Sequence, residues 1–351
     1  MDYARTNVFI LCMMSVLLAS ACMSHAESTG KPATTLRQAA QSGGVAIGAS
    51  VDEDALREDP EYAAVLGREF NTLTPENSMK FEALHPGPFR YDFELGDAIV
   101  EFADKHQMQV HGHVLVWHEQ LPDWLTGAKW TREQLRMILH EYIYRVVGHY
   151  RGRIGIWDVV SEAVDENGEM RKTFWSQGIG PEYIELAFQW AHEADPDAQL
   201  LYNDYGGEGS GAKADAIYKL LAGLRKRGVP VHGVGLQMHV STDDAPSTQA
   251  VAANMARLEG VGLKVHVTEM DVSLKLPATP AKLARQARVY HDMMHTCLAA
   301  PGCRNFTLWG FTDRYSWIPE FFPGSGAALI FDKQMRPKPA YDALIEALSG
   351  H

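Results

Sequence analysis

A repeated alternation constrains this chain more than any other feature. Short, β-rich apolar runs alternate with longer stretches whose apolar residues recur at helical spacing. The short runs are Val45–Ala49, Phe70–Leu73, Val110–Val116, Ile154–Val160, Leu200–Tyr202, Val234–Leu236, Val265–Val267 and Phe306–Leu308. They are eight in number, and the spacing from residue 45 to residue 305 averages about 37 residues per unit, the size of a βα repeat with right-handed crossovers. Eight such units predict an α/β chain folded as a single closed (β/α)₈ TIM barrel, with its active site at the C-terminal ends of the strands. No G-x-G-x-x-G follows the first run, as a dinucleotide-binding open sheet would require.

Three helical segments are clearest. One starts at Thr131, which forms a capping box with Gln134, and carries Leu135, Ile138, Leu139, Tyr142, Val146 and Val147 on one stripe. A second is expected to open at Pro181, with Ile184, Ala187, Phe188 and Ala191; a third holds Ile217, Leu220, Leu221 and Leu224 and closes at Gly228.

The N-terminus reads differently. Val8–Ala21 is almost uninterruptedly apolar, Arg5 precedes it, and small residues follow, so residues 1–26 are expected to be a secretory signal peptide cleaved after Ala26. The run is shorter than the roughly 20 residues of a membrane span, so no transmembrane segment is expected in the mature chain. Leu17–Cys22 also matches a lipoprotein signal in which Cys22 would carry the anchor, although Ala19 fits that pattern poorly. Residues 27–36 read as linker and 37–351 as one catalytic domain, a secreted or periplasmic monomer. With two of the four cysteines in the leader, Cys297 and Cys303 remain, six residues apart; in an exported protein they are expected to pair, pinning one turn.

The formal net charge of −12 argues against a nucleic-acid partner, which selects a basic face. The residues at the ends of seven of the eight apolar runs carry the chemistry. They include Glu76, Asn77 and Lys80; His113 and Trp117; Ser161 and Glu162; Tyr205; Gln237 and His239; Glu269 and Asp271; and Trp309 and Trp317. Glu162 and Glu269 follow the fourth and seventh runs, so a barrel brings them together across its mouth. Glycoside hydrolysis needs such a pair, one carboxyl protonated to protonate the leaving oxygen and the other ionised to attack or stabilise the sugar. The three tryptophans offer flat apolar faces for pyranose rings, while Asn77, Lys80, His113, Gln237 and His239 offer donors to hydroxyls. Asp271 is expected to hold His239, which in turn fixes Glu269.

Other chemistries fit less well. His111 and His113 share one side of a strand but lack a third ligand at metal spacing, so neither metal nor organic cofactor is expected. No G-x-S-x-G nucleophile elbow exists. The glycine-rich 206–211 stretch lacks the Gly-Lys-Ser/Thr ending of a phosphate loop.

Together these motifs resemble glycoside hydrolase family 10, the endo-β-1,4-xylanases, from about Leu36 to Leu348. The matching residues are Pro-Glu-Asn-x-Met-Lys at 75–80, His113-x-x-x-Trp117-His118, Trp-Asp-Val-Val-x-Glu at 157–162, Asn203-Asp204-Tyr205, Gln237-x-His239, Thr-Glu-x-Asp at 268–271, and Trp309 with Trp317. The resemblance implies a retaining xylanase acting on xylan or a related β-1,4-linked polysaccharide, with Glu162 as acid/base and Glu269 as nucleophile. It implies that Glu76, Asn77, Lys80, His113, Trp117, Gln237, His239, Trp309 and Trp317 bind the glycone sugars, and that Cys297 and Cys303 form a disulfide. One position departs: Ser161 stands where the family usually has asparagine, whose amide contacts the 2-hydroxyl at the cleavage point. That departure keeps two alternatives open, a β-1,4-glucanase on the same scaffold or a carbohydrate-binding protein with weakened catalysis.

Overall fold

The structure is a computed structural model and describes residues 34–350; the leader and Cys22 lie outside the described residues. Among the described residues there are ten strands: β1 (Ala46–Val51), β2 (Thr72–Pro75), β3 (Gln109–Gly112), β4 (Ile156–Ser161), β5 (Gln199–Asp204), β6 (Gly233–Leu236), β7 (His239–Ser241), β8 (Lys264–Lys275), β9 (Cys303–Leu308) and β10 (Ser325–Gly326). Each apolar run of the sequence lies on one of eight parallel barrel strands, β1 to β6, β8 and β9. Pairing of Ala46 with Asn305 and of Gly48 with Thr72 joins β1 to β9 and to β2, which closes the (β/α)₈ barrel.

The helices form the outer layer because each buries one stripe. In Arg132–His149 the buried residues are Leu135, Leu139, Tyr142, Ile143, Val146 and Val147, and the Thr131–Gln134 capping box forms as expected. Each such aliphatic side chain contributes about 1.5–3 kcal/mol by leaving water. The segment expected to open at Pro181 becomes helical only at Tyr183 and runs to Ala194. Ala212–Lys226 ends before Gly228, whose φ of +78° is a left-handed conformation that glycine adopts without strain.

Three local differences follow from the barrel. The stretch read as linker to residue 36 already contains structure: Thr35 caps the helix Leu36–Gly43, and Leu36 is fully buried. The third apolar run leaves the ladder at Gly112, and its end returns only as a single bridge between Val116 and Val160. The seventh run extends well past the barrel rim, so Glu269 lies inside β8 and not at its end. There β8 pairs in parallel with β7 and antiparallel with β10, a small ribbon that apolar periodicity did not announce.

The cysteine expectation holds. Cys297, near the end of helix Pro280–Ala299, is bonded to Cys303 at the start of β9, with Cα atoms 5.3 Å apart. Among the described residues, no helix is long and apolar enough to cross a membrane.

Candidate active site

Glu269 is held from both sides. Asn203, the fifth residue of β5 and fully buried, donates from Nδ2 to Glu269 Oε1 at 2.5 Å and to Ser161 Oγ at 3.4 Å. Thr268 Oγ1 donates to Asn203 Oδ1 at 2.8 Å, which fixes the amide so that its NH₂ group faces the carboxylate. Gly235 of β6 leaves the room: a Cβ there would run into Asn203 Oδ1 and the Thr268 side chain.

On the other side, His239 Nε2 lies 3.2 Å from Glu269 Oε2, and its Nδ1 lies 3.0 Å from Asp271 Oδ2. Trp317 Nε1 donates to the same Asp271 oxygen at 2.8 Å. Burial opposes a charge on His239, but the carboxylates of Asp271 and Glu269 outweigh it and push its pKa up to about 10. His239 is therefore an imidazolium through neutral pH, donating from both nitrogens. Burial likewise opposes ionisation of Glu269; the hydrogen bond from His239 and the charges of His113 and His239 win, holding the carboxyl below its usual range. The expected chain from Asp271 through His239 to Glu269 is present.

Behind this layer, Asp158 of β4 accepts from His113 Nδ1 at 2.9 Å and from His111 Nε2 at 3.0 Å. Burial disfavours its charge, and His111 and His113 overcome that and hold it well below the carboxylate range. This explains His111 of β3 and His113 just beyond it. Their shared side serves one buried carboxylate.

Glu162 follows the last residue of β4 with φ +58°, a left-handed conformation that costs a non-glycine residue of order 1–3 kcal/mol. Three hydrogen bonds over-determine it. The Glu162 N–H donates to Asn203 O at 2.9 Å, the Glu162 carbonyl accepts from Arg171 Nε at 2.9 Å, and the Ala163 N–H donates to Tyr202 Oη at 3.0 Å. Gln237 Nε2 then donates to Glu162 Oε1 at 3.0 Å. Tyr205 stands next to this group: Arg171 donates to its hydroxyl at 3.0 Å, the hydroxyl donates to Glu166, and Lys213 Nζ sits 3.5 Å from its ring centroid.

The remaining expected residues form the cleft's other wall. Lys80 Nζ donates to Asn77 Oδ1 at 3.0 Å and lies 4.9 Å from the Trp117 ring centroid, within electrostatic reach of Glu76, Glu269 and Glu162. Burial pushes Glu76 up to about 7 against the pull of Lys80. Trp309 packs edge-on against His113 at 5.1 Å and against His239 at 6.2 Å, with Trp317 5.1 Å from His239. Of the residues singled out in the sequence, Ser161, Gln237, His239, Asp271, Trp309 and Trp317 touch Glu162, Glu269 or one of their hydrogen-bond partners, and Lys80 reaches both glutamates by its charge.

A family profile described as Glycosyl hydrolase family 10 matches residues 35–347. The chain belongs to this family. Endo-1,4-beta-xylanase B of Thermotoga neapolitana is 45% identical over 336 residues, covering 95% of this chain and 96% of that protein. The crystal structure of native xylanase 10B from Thermotoga maritima superposes with a TM-score of 0.88 at 44% identity, over 90% of this chain and 98% of its own. Xylanase 10B from Thermotoga petrophila RKU-1 in complex with xylobiose gives 0.89 at 43% identity, covering 92% and 99%.

Against this glycosyl hydrolase family 10 frame, sequence reasoning passed over three residues. Asn203 was visible in the Asn-Asp-Tyr run, but nothing local shows that it reaches across from β5 to β8. Asp158 sits in the Trp-Asp-Val-Val run as one more strand residue until its two histidines are in place. Arg171 lies in the loop after β4 with no local signal; a cation nine residues after the acid reaches back to that residue's carbonyl. His113, Asp158 and Glu269 also bring three ligand-type atoms within 4.8 Å of one another. These atoms are already committed, His113 Nδ1 to Asp158 and the Glu269 oxygens to Asn203 and His239.

Proposed function

We propose that this protein is a retaining endo-1,4-β-xylanase in which Glu269 is the nucleophile and Glu162 the general acid/base. The observation that carries the assignment is the contrast in surroundings. Glu269 accepts hydrogen bonds on both oxygens and faces an imidazolium, so it stays ionised; the Glu162 carboxyl accepts one side-chain hydrogen bond, from Gln237, and is half-buried. In the first step Glu162 gives its proton to the glycosidic oxygen as that bond breaks, and a Glu269 oxygen forms the bond to the anomeric carbon. In the second, Glu162 takes a proton from water, whose oxygen displaces Glu269. Two inversions leave the configuration unchanged. The likeness to endo-1,4-beta-xylanases supports xylan as the substrate, and the walls formed by Lys80, Asn77, Trp117, Trp309 and Trp317 suit a neutral pyranose chain.

Hydrolysis of linear xylan, followed by proton NMR in the first minutes, is expected to release the β-anomer first. Release of the α-anomer, or preferential cleavage of linear β-1,4-glucan, contradicts the proposal.

Ser161 has a further expected effect. Its hydroxyl accepts only a 3.4 Å contact from Asn203, whose shorter bond goes to Glu269. Serine reaches less far than asparagine and has one donor fewer. Ser161→Asn is expected to raise kcat on xylan about tenfold, within the roughly 1–3 kcal/mol of one hydrogen bond to a polar partner. An unchanged kcat shows that Ser161 does not limit turnover.

We also propose export, supported by the apolar leader and by a disulfide suited to an oxidising compartment. Mass measurement of the mature N-terminus in fractionated cells is expected to place it after Ala26, or at a lipidated Cys22; an intact leader in the cytoplasmic fraction refutes export.

A further inference from the structure

The peptide that joins Glu162 to Ala163 aims the Glu162 side chain, and both of its polar ends are tied down. Its carbonyl accepts from Arg171 Nε at 2.9 Å, and its N–H donates to Tyr202 Oη at 3.0 Å. The Tyr202 hydroxyl in turn donates to Asp204 Oδ2 at 2.5 Å. The other carboxylate oxygen, Asp204 Oδ1, accepts from the Tyr205 N–H at 2.9 Å and lies 3.0 Å from Lys213 Nζ. Lys213 also lies 3.8 Å from Glu166, which accepts from Arg171 Nη2 at 3.1 Å. A closed circuit therefore runs from the Glu162 carbonyl through Arg171, Glu166, Lys213, Asp204 and Tyr202 back to the Ala163 N–H.

The two halves of the circuit differ in burial. Tyr202, Asp204 and Lys213 are 0%, 1% and 5% exposed, whereas the Glu166 side chain is 62% exposed. A buried network with its partners in place keeps one geometry; an exposed ion pair contributes little. Tyr202 and Asp204 flank Asn203 on β5, and strand alternation turns them to the side opposite the amide that holds Glu269. Burial pushes the Asp204 carboxyl up to about 7 against the pull of Lys213 and Tyr202, so without the buried ammonium it would take up a proton at neutral pH. Burial and the Asp204 charge push the Tyr202 phenol well up, so the hydroxyl keeps the proton it donates. Donating to a carboxylate makes its oxygen a better acceptor for the Ala163 N–H. A glutamate at φ +58° has to be held there, and this is the buried group that holds it.

We propose that Tyr202 and Asp204, with Lys213 as counter-charge, are positioning residues for Glu162 that keep its carboxyl on the line of proton transfer to the glycosidic oxygen. The proposal rests on the reading of Glu162 as the acid/base. All three act through the backbone of Glu162, so a reaction that needs its proton depends on them and a bond that breaks unaided does not.

Tyr202→Phe removes the hydroxyl and keeps the ring. Asp204→Asn keeps the shape, but its one remaining oxygen cannot serve the Tyr202 hydroxyl and the Tyr205 N–H together, and it keeps the test decisive should the first variant not fold. Each is assayed for kcat/KM on phenyl xylobioside, whose leaving group needs the proton, and on dinitrophenyl xylobioside, whose leaving group does not. Both variants are expected to lose about tenfold on the first substrate and less than about twofold on the second, part of the roughly 10²–10⁴-fold that general acid catalysis supplies. A merely structural role lowers both alike. Equal losses on the two substrates, or no loss on either, overturn the proposal. Glu162→Ala, run alongside, tests the reading beneath it: the absence of any such split in that variant refutes the acid/base assignment itself, so the two failures are distinct.

Discussion

Glu269→Gln is expected to abolish xylan hydrolysis, lowering kcat by at least about 10⁴-fold, the scale seen when a nucleophile is removed from an enzyme whose groups act as a unit. The substitution keeps the shape and one of the two hydrogen bonds, on the remaining oxygen. It leaves no anion to form the glycosyl-enzyme bond. It also places a second NH₂ group against Asn203 Nδ2 or against the His239 imidazolium, both of which donate in the present structure. Reducing-sugar release measures the loss, and a fluorescence titration with xylo-oligosaccharide shows whether binding survives. Retained hydrolysis within tenfold would remove Glu269 from the nucleophile role.

Glu162→Ala separates the two steps. On xylan the departing sugar is a poor leaving group and needs the proton, so kcat is expected to fall about 10²–10⁴-fold, the worth of general acid catalysis. On an aryl xylobioside whose phenol leaves unaided, the first step persists and the glycosyl-enzyme accumulates, because no base activates the water. A burst of phenol followed by a slow phase is therefore expected. Added azide, which needs no deprotonation, restores turnover and gives a β-glycosyl azide. Equal loss on both substrates with no azide effect would show that Glu162 does not act as acid/base.

The barrel was legible because its strands are buried on both faces and read as continuous apolar runs. Even so, β3 is shorter than its run, since the segment from His113 turns toward Asp158 and the cleft instead of continuing the ladder. The extension of β8 was illegible for the opposite reason. Met270-Asp271-Val272-Ser273 alternates, and an alternating stretch after a buried run gives no sign of partners as short as β7 and β10. Within the site, residues whose chemistry acts on substrate were visible from their types alone. Those that act on other residues were not: Asn203 and Arg171 matter through where their side chains end, and that is a property of register and loop path. The left-handed backbone of Glu162 was equally hidden, because nothing in Val-Ser-Glu-Ala announces a positive φ.

Asn203 touches both halves of the chemistry, its carbonyl receiving the Glu162 N–H and its amide reaching the Glu269 carboxylate. The Glu162 backbone and the Glu269 carboxylate are thus spaced by one residue inside a buried strand, locked by Thr268 and given room by Gly235. None of these three belongs to the rim loops that line the cleft. Insertions, deletions and exchanges among those loops can therefore retune which polysaccharide is accepted while that spacing stays as it is, a division of labour that lets specificity drift without a toll on the reaction itself.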